Sequence, residues 1–213
     1  MKIFISGQKQ FAADVFRLCV KLGHTIVGVC APVYKDREDA LHQIARLNNV
    51  PILPAGSLTY ETLPDGIDLG ITAHSHDFIG KLTRYKVKHG WIGYHPSLLP
   101  IHRGRDAIRW ALKTGDRVTG GSIYWLDGRV DGGDLAAQDY VLIHPKDTAE
   151  TLWREKLQAL GHDLFRRVLP LIEAGTCPRE PQDEAMATWE PSLDPPALRR
   201  PDLKMLPAPG ESL

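Results

Sequence analysis

Short, almost unbroken apolar runs alternate along the first hundred residues with stretches in which apolar side chains return every three or four positions. KIFI (2–5) closes at Ser6-Gly7. Beyond it Phe11, Val15, Leu18, Cys19 and Leu22 fall at helical spacing, with a stop at Gly23-His24. TIVGVCAP (25–32) reads as a second strand, and 37–49 as a second helix with Ala40, Leu41, Ile44, Ala45 and Leu47 apolar. VPILPA, DLGITAH (68–74) and WIGYHP (91–96) supply three more short strands. Strands that are apolar on both faces, separated by amphipathic helices, predict parallel βαβ units.

The pattern then changes. RDAIRWALKTGD (105–116) is a helix with Ala107, Ile108, Ala111 and Leu112 on one side. GGSIYWLD (120–127) and LAAQDYVLIHP (135–145) are two strands joined by the glycine-rich GRVDGGD, which predicts a hairpin-like extension of the sheet. Asp147-Thr148 opens a long helix to about Gly175, with Leu152, Leu157, Leu160, Leu164, Val168 and Leu171 as its buried face. From Trp189 onward the chain is too rich in proline for a helix or a central strand. The expected architecture is therefore α/β: a Rossmann-like, mostly parallel sheet flanked by helices, with a mixed-sheet extension and a short irregular C-terminal tail. The division expected is a catalytic-type domain over 1–188 and a tail over 189–213.

Composition narrows the functional classes. The 26 basic and 26 acidic residues balance, so no net field favours nucleic acid or an anionic membrane as partner. No apolar run reaches the ~18 residues of a membrane span, and MKIFISGQ is too short for the apolar core of a signal peptide. Cys19, Cys30 and Cys177 are far apart and odd in number, which argues against a disulfide framework and fits a reducing cytoplasm. SGQKQF has one glycine where a dinucleotide loop needs three, so dinucleotide binding is not expected.

Chemistry gathers near His95. It follows a strand, and the carboxyl edge of a parallel sheet is where such folds place ligands. Pro96 and Pro100 stiffen the backbone on both sides. Downstream, Asp131 stands in RVDGGD, beside glycines that let a main chain approach a ligand closely. A carboxylate beside an imidazole orients the ring, and the pair can move a proton at neutral pH. Read from spacing alone, the alternative stays open that His95 caps a loop and Asp131 serves the turn. His74, His76 and His95 could form a metal cluster, but histidines at a strand end serve more often as polar rim residues, so no metal is expected. No GxSxG and no catalytic cysteine setting occurs, which argues against covalent catalysis.

The ordered set YHPSLLP, HRGRDAIRW, SIYWLDGRVDGGDLAAQ and a DT opening a long helix resembles the folate-dependent formyltransferase family. The resemblance covers roughly residues 1 to 175 and is strongest from 91 to 148. It implies an α/β catalytic domain that takes a formyl group from N10-formyltetrahydrofolate, with no metal. By motif position it implies that His95 and Asp131 are catalytic. It implies that Asp127, Gly128, Val130, Gly132 and Gly133 border the pterin end of the folate, with Phe78, Ile79 and Leu98 as apolar surroundings. It also implies acceptor contacts from Gly93, Tyr94, Ser97, Arg103 and Arg105, the two arginines being a candidate anion clamp. Surface arginines at a helix start are the equally weighted alternative.

One departure stands out. Most transferases of the family read Asn-x-His, and this chain reads Gly93-Tyr94-His95. The missing asparagine would donate to the developing oxyanion, a loss of ~3 kcal/mol in comparable sites. The hydrolase domain of formyltetrahydrofolate dehydrogenase is closest in motif, also lacks the asparagine and reads IYHPSLLP. Gly93 is accordingly expected to leave a space that admits water or a substrate group. The balanced charge and short tail favour a small-molecule amine as acceptor, with water or mere folate binding as alternatives. The oligomeric state is open, a dimer included.

Overall fold

The computed structural model describes residues 1–194. Seven strands form one sheet in the order β3-β2-β1-β4-β5-β6-β7. They are β1 (Lys2–Gly7), β2 (Thr25–Ala31), β3 (Ile52–Pro54), β4 (Leu69–Ala73), β5 (Trp91–His95), β6 (Val118–Trp125) and β7 (Leu135–Leu142). β1 to β5 run parallel, while β6 pairs antiparallel with β5 and with β7. The Rossmann-like, mostly parallel sheet with a mixed extension is thus the observed architecture.

Strand alternation assigns the two faces. Ile3 and Ile5 join Phe11, Val15, Leu164, Phe165, Val168 and Ile172 on the side covered by α1 (Lys9–Lys21), α2 (Ala40–Leu47) and α6 (Gln158–Glu173). Phe4 faces the other way, into a second cluster with Cys30, Leu58, Leu63, Ile67, Ile79, Val87 and Trp91. α2 begins where the Asp39 carboxylate accepts the Leu41 N–H, a side-chain cap in the ordinary sense. The expected elements are present with trimmed ends. The short α3 (Lys81–Tyr85) was not legible, because only Thr83 of its five residues is buried and no apolar stripe marks it.

The long C-terminal helix differs from its sequence reading. It starts at a capping box between Thr148 and Thr151 in α5 (Ala149–Thr151), then widens into a π-helix over Leu152–Leu157 before α6. Leu152 and Leu157, five residues apart, are both fully buried, as suits the wider turn. Beyond this segment the buried face keeps the expected line and is broader, differing only at its end. Gly161, Phe165, Leu169 and Ile172 are buried with Leu164 and Val168, Leu160 is half-buried, and Leu171 is 40% exposed. The Tyr94 hydroxyl donates to the Leu157 carbonyl at 2.7 Å, satisfying a group within the π segment.

After α6 the chain returns along the sheet edge. Glu180 forms an isolated bridge with Leu135, and residues 182–194, including a 3-10 turn at Glu184–Met186, pack against the loop that follows β5 and α4 (Ala107–Thr114). Residues 189–194 belong to this docked segment; the rest of the expected tail, 195–213, lies outside the described residues.

Candidate active site

β5 ends at His95, whose ring is held from both sides. The carbonyl of His102 can only accept, so Nε2, at 2.7 Å, donates to it. In the neutral ring the lone pair is then on Nδ1, which lies 3.5 Å from Asp131 Oδ2. Both side chains are largely buried, 8% and 15% exposed. Asp131 comes from the β6–β7 connection and carries φ 49, a left-handed conformation uncommon for a residue with a side chain. Its Oδ2 accepts the Gly104 N–H at 2.8 Å, and its Oδ1 accepts the Tyr124 hydroxyl at 2.6 Å. Burial and the Asp131 carboxylate raise the Tyr124 phenol well above its ordinary range, so it stays protonated and serves as a donor. The pair therefore has a defined proton path: Nδ1 can take or give a proton beside a carboxylate that remains hydrogen-bonded throughout.

The loop 96–106 is stiffened by buried polar groups. Ser97 is fully buried, donates from its hydroxyl to the Ile101 carbonyl and accepts from Ser122 at its own carbonyl. His102 sits with Nε2 2.9 Å from Asp116 Oδ2. Glu190 Oε1 lies 3.0 Å from its Nδ1, off the axis of a hydrogen bond. Arg103 is 4% exposed, and its guanidinium donates to Gln182 and to both oxygens of Glu184.

Several residues expected around a ligand are placed elsewhere. Tyr94 alternates away from Gly93 and His95; its ring packs on Phe11 and Trp153 and its hydroxyl is used by Leu157. Ser97 and Arg103 have their polar atoms committed within the protein, so neither presents a free group to an acceptor. Ile79 is 4% exposed in the second core cluster rather than on a cleft wall. Phe78 is 80% exposed, and Leu98 is half-buried beside Gly120. Arg105 is exposed and has no hydrogen-bond or ion-pair partner among the described residues. In the 127–133 turn, Gly128 and Val130 are exposed, and Asp127 accepts from Arg129. Gly132 and Gly133 are buried; a Cβ on Gly133 would collide with the Trp125 carbonyl, so this close approach requires glycine.

Gly93 leaves no vacancy. A Cβ there would stand 2.6 Å from Thr72 Oγ1 and 3.1 Å from both Tyr124 Cε1 and Leu126 Cδ1. Tyr124 is its cross-strand partner, so the phenol that reaches Asp131 passes through the space expected to be open. The reading of Gly93 as an entry for water or substrate is corrected accordingly.

His74 lies just beyond β4 with φ 55, so strand alternation does not align it with His76; the rings meet edge to face at 6.1 Å. Burial, followed by Lys9 and His76, pushes the His74 imidazole down to about 4, leaving it neutral at pH 7. Cys19 and Cys30 are buried thiols pushed up to about 12, mainly by burial. Tyr124, His102, Gly104 and Gln182 were not singled out by sequence. Only Tyr124 carried a signal, since strand alternation places it on the same face as Ser122.

A family model described as formyl transferase matches residues 58–169. Cytosolic 10-formyltetrahydrofolate dehydrogenase of Mus musculus is 37% identical over 201 residues, which cover 89% of this chain and 22% of that protein. The chain thus spans about a fifth of the length of this relative. Among solved structures, an N-formyltransferase from Helicobacter canadensis in complex with folinic acid and dTDP-3-aminofucose superposes with TM-score 0.72 at 20% identity, covering 89% of this chain and 70% of that one. Glycinamide ribonucleotide transformylase 1 from Symbiobacterium toebii gives 0.67 at 23% identity, covering 82% and 88%. Both likenesses establish the fold.

Proposed function

This chain belongs to the formyl transferase family, and from that premise we propose that it takes a formyl group from N10-formyltetrahydrofolate and passes it to the amine of a small-molecule acceptor at His95 and Asp131. The observation that carries this reading is the 3.5 Å approach of His95 Nδ1 to Asp131 Oδ2, with Nε2 fixed on a backbone carbonyl. Attack of the amine on the formyl carbon forms a C–N bond and places negative charge on the formyl oxygen. His95, protonated at Nδ1, donates toward that oxygen. Asp131 accepts the proton lost by the amine and returns it to N10 as the C–N10 bond breaks. The turn 127–133, with its exposed Gly128 and Val130, and the exposed Phe78 are the surfaces we assign to the folate; exposed Arg105 is the group we assign to an anionic substituent of the acceptor.

Water is the second reading. The position that most transferases fill with asparagine is glycine here, and its surroundings are occupied by Thr72, Tyr124 and Leu126 rather than by a side-chain amide donor. An oxyanion site with fewer donors, together with the identity to the 10-formyltetrahydrofolate dehydrogenases, favours it. Among the described residues no helix is long and apolar enough to cross a membrane, and the three free thiols fit a reducing, cytoplasmic setting.

Incubation with N10-formyltetrahydrofolate, with and without a panel of phosphorylated and unphosphorylated amines, separates the readings. Deformylated folate appearing only with an amine supports transfer; its release in buffer alone supports hydrolysis. Tight folate binding without turnover under any condition would reduce the chain to a binding protein.

A further inference from the structure

Asp131 holds a left-handed backbone conformation, φ 49, that is strained for a residue with a side chain, and such a conformation persists only where its surroundings over-determine it. The side chain is fixed by Gly104 and Tyr124. The backbone is fixed from outside the region matched by the family model. Gln182 Nε2 donates to the Asp131 carbonyl at 2.8 Å and to the Gly133 carbonyl at 2.7 Å. Its Oε1 accepts from Arg103 Nε at 3.0 Å and from Nη2 at 2.8 Å. Both donors and both lone pairs of this amide are used, and Gln182 is only 7% exposed. Reversing the amide would face its oxygen to two carbonyls and its NH2 to a guanidinium, so its orientation is forced.

The other end of this brace matters equally. Arg103 lies between His102, whose carbonyl holds the His95 ring, and Gly104, whose N–H holds the Asp131 carboxylate. One side chain therefore joins the segment that orients the imidazole to the segment that carries the carboxylate. The bridge between Glu180 and Leu135 positions it: Leu135 N–H donates to Glu180 O at 2.8 Å and Glu180 N–H to Leu135 O at 3.0 Å, two residues before Gln182. Thr188 secures the same loop further on, donating its N–H to Pro100 O and accepting at its carbonyl from Arg103 N–H.

We infer that Gln182 is a positioning residue that sets the separation of His95 and Asp131, so that the segment after α6 is an integral part of the catalytic site. The inference rests on the reading of His95 and Asp131 as the reacting pair. Gln182→Glu keeps the size and the acceptor for Arg103 but has no N–H for the two carbonyls. With N10-formyltetrahydrofolate as the probe, we expect kcat to fall ~10- to 100-fold while KM stays within about twofold. We expect the ring 15N resonances of His95 to shift. In an Asp131→Ala background the same substitution should change turnover by less than about twofold, because the group it positions is gone.

Unchanged His95 resonances in Gln182→Glu, or an equal loss of turnover with and without Asp131, would overturn the brace. Shifted resonances with wild-type turnover would support the brace and instead overturn the catalytic assignment of the pair. Should the acidic variant fold poorly, Gln182→Met removes both ends of the brace at similar size, and Arg103→Lys disrupts the guanidinium end alone. Both are expected to shift the same His95 resonances, and resonances unmoved in both would count against the proposal.

Discussion

The two ends of the sheet are built differently. From β1 to β4 most buried positions are aliphatic or aromatic, with Ser6, Gln8, His24 and Asp39 as the polar exceptions, and the strands hold together through parallel pairing and two apolar clusters. From β5 to β7, with the loop after β5 and the returning segment 178–194, buried polar groups gather: His95, Ser97, His102, Arg103, Ser122 and Gln182. Several find partners on segments distant in the chain, as in the pairing of Arg103 with Gln182 or Ser122 with Ser97. The first end is held mainly by area removed from water, which tolerates repacking. The second is held by directional bonds, each of which leaves an unsatisfied buried partner when broken. A scaffold and a reacting pair thus occupy one sheet under different physical rules.

Substitutions at the two ends should separate along the same line. The largest effect is expected at the pair: His95→Ala and Asp131→Ala each lower turnover by ~100- to 10,000-fold, read by release of deformylated folate, far beyond the ~1–3 kcal/mol of stability lost by leaving the His102 carbonyl, or the Tyr124 hydroxyl and Gly104 N–H, unpaired. Turnover within tenfold of wild type for both would remove the pair from the mechanism. At the other end, Ile71→Ala in the fully buried centre of β4 should cost ~2–5 kcal/mol in denaturant unfolding while the folded fraction keeps its turnover.

Gly93→Asn lies on the boundary between the two ends. Because Thr72, Tyr124 and Leu126 already fill the space, it should destabilise by ~1–3 kcal/mol and lower Tm by several degrees, rather than restore an oxyanion donor. A gain in turnover at unchanged Tm would show that the asparagine is accommodated.

The two tyrosines on adjacent strands give a finer contrast. Tyr94→Phe and Tyr124→Phe each lose one buried hydrogen bond, worth about 1 kcal/mol. Only Tyr124→Phe should lower turnover, by ~10-fold, because only its hydroxyl reaches Asp131. Equal turnover in the two variants would erase the distinction between core and site.

The smallest effect concerns acid. The folded His74 titrates near 4 and the unfolded side chain near 6.5, so the unfolded state binds more protons between these values. The stability His74 contributes is present above about pH 6.5 and is lost as pH falls toward 4. His74→Gln should flatten that part of the curve of Tm against pH; an unaltered slope would show that the ring is not desolvated in solution.

Hydrophobic periodicity, a local property of the chain, carried the strand and helix order, the parallel first half, the hairpin-like extension and the helix closed at Gly175. It misplaced only the C-terminal end of the buried stripe on α6, where Ile172, four residues after Val168, takes the buried position expected of Leu171. A strand end, flanking prolines and a glycine-rich turn, all local signals, made His95 and Asp131 candidates, and the resemblance in motif order gave them their expected role. Tertiary structure alone decided that Gly93 is filled rather than open, that Tyr94 and Ser97 serve the interior, and that Arg103 is tied to Gln182 and Glu184. Burial of apolar area depends on a residue's own type and the period of its neighbours, so it is written along the chain. A buried hydrogen bond depends on where a second, distant segment comes to rest, and that is set only when the whole sheet closes.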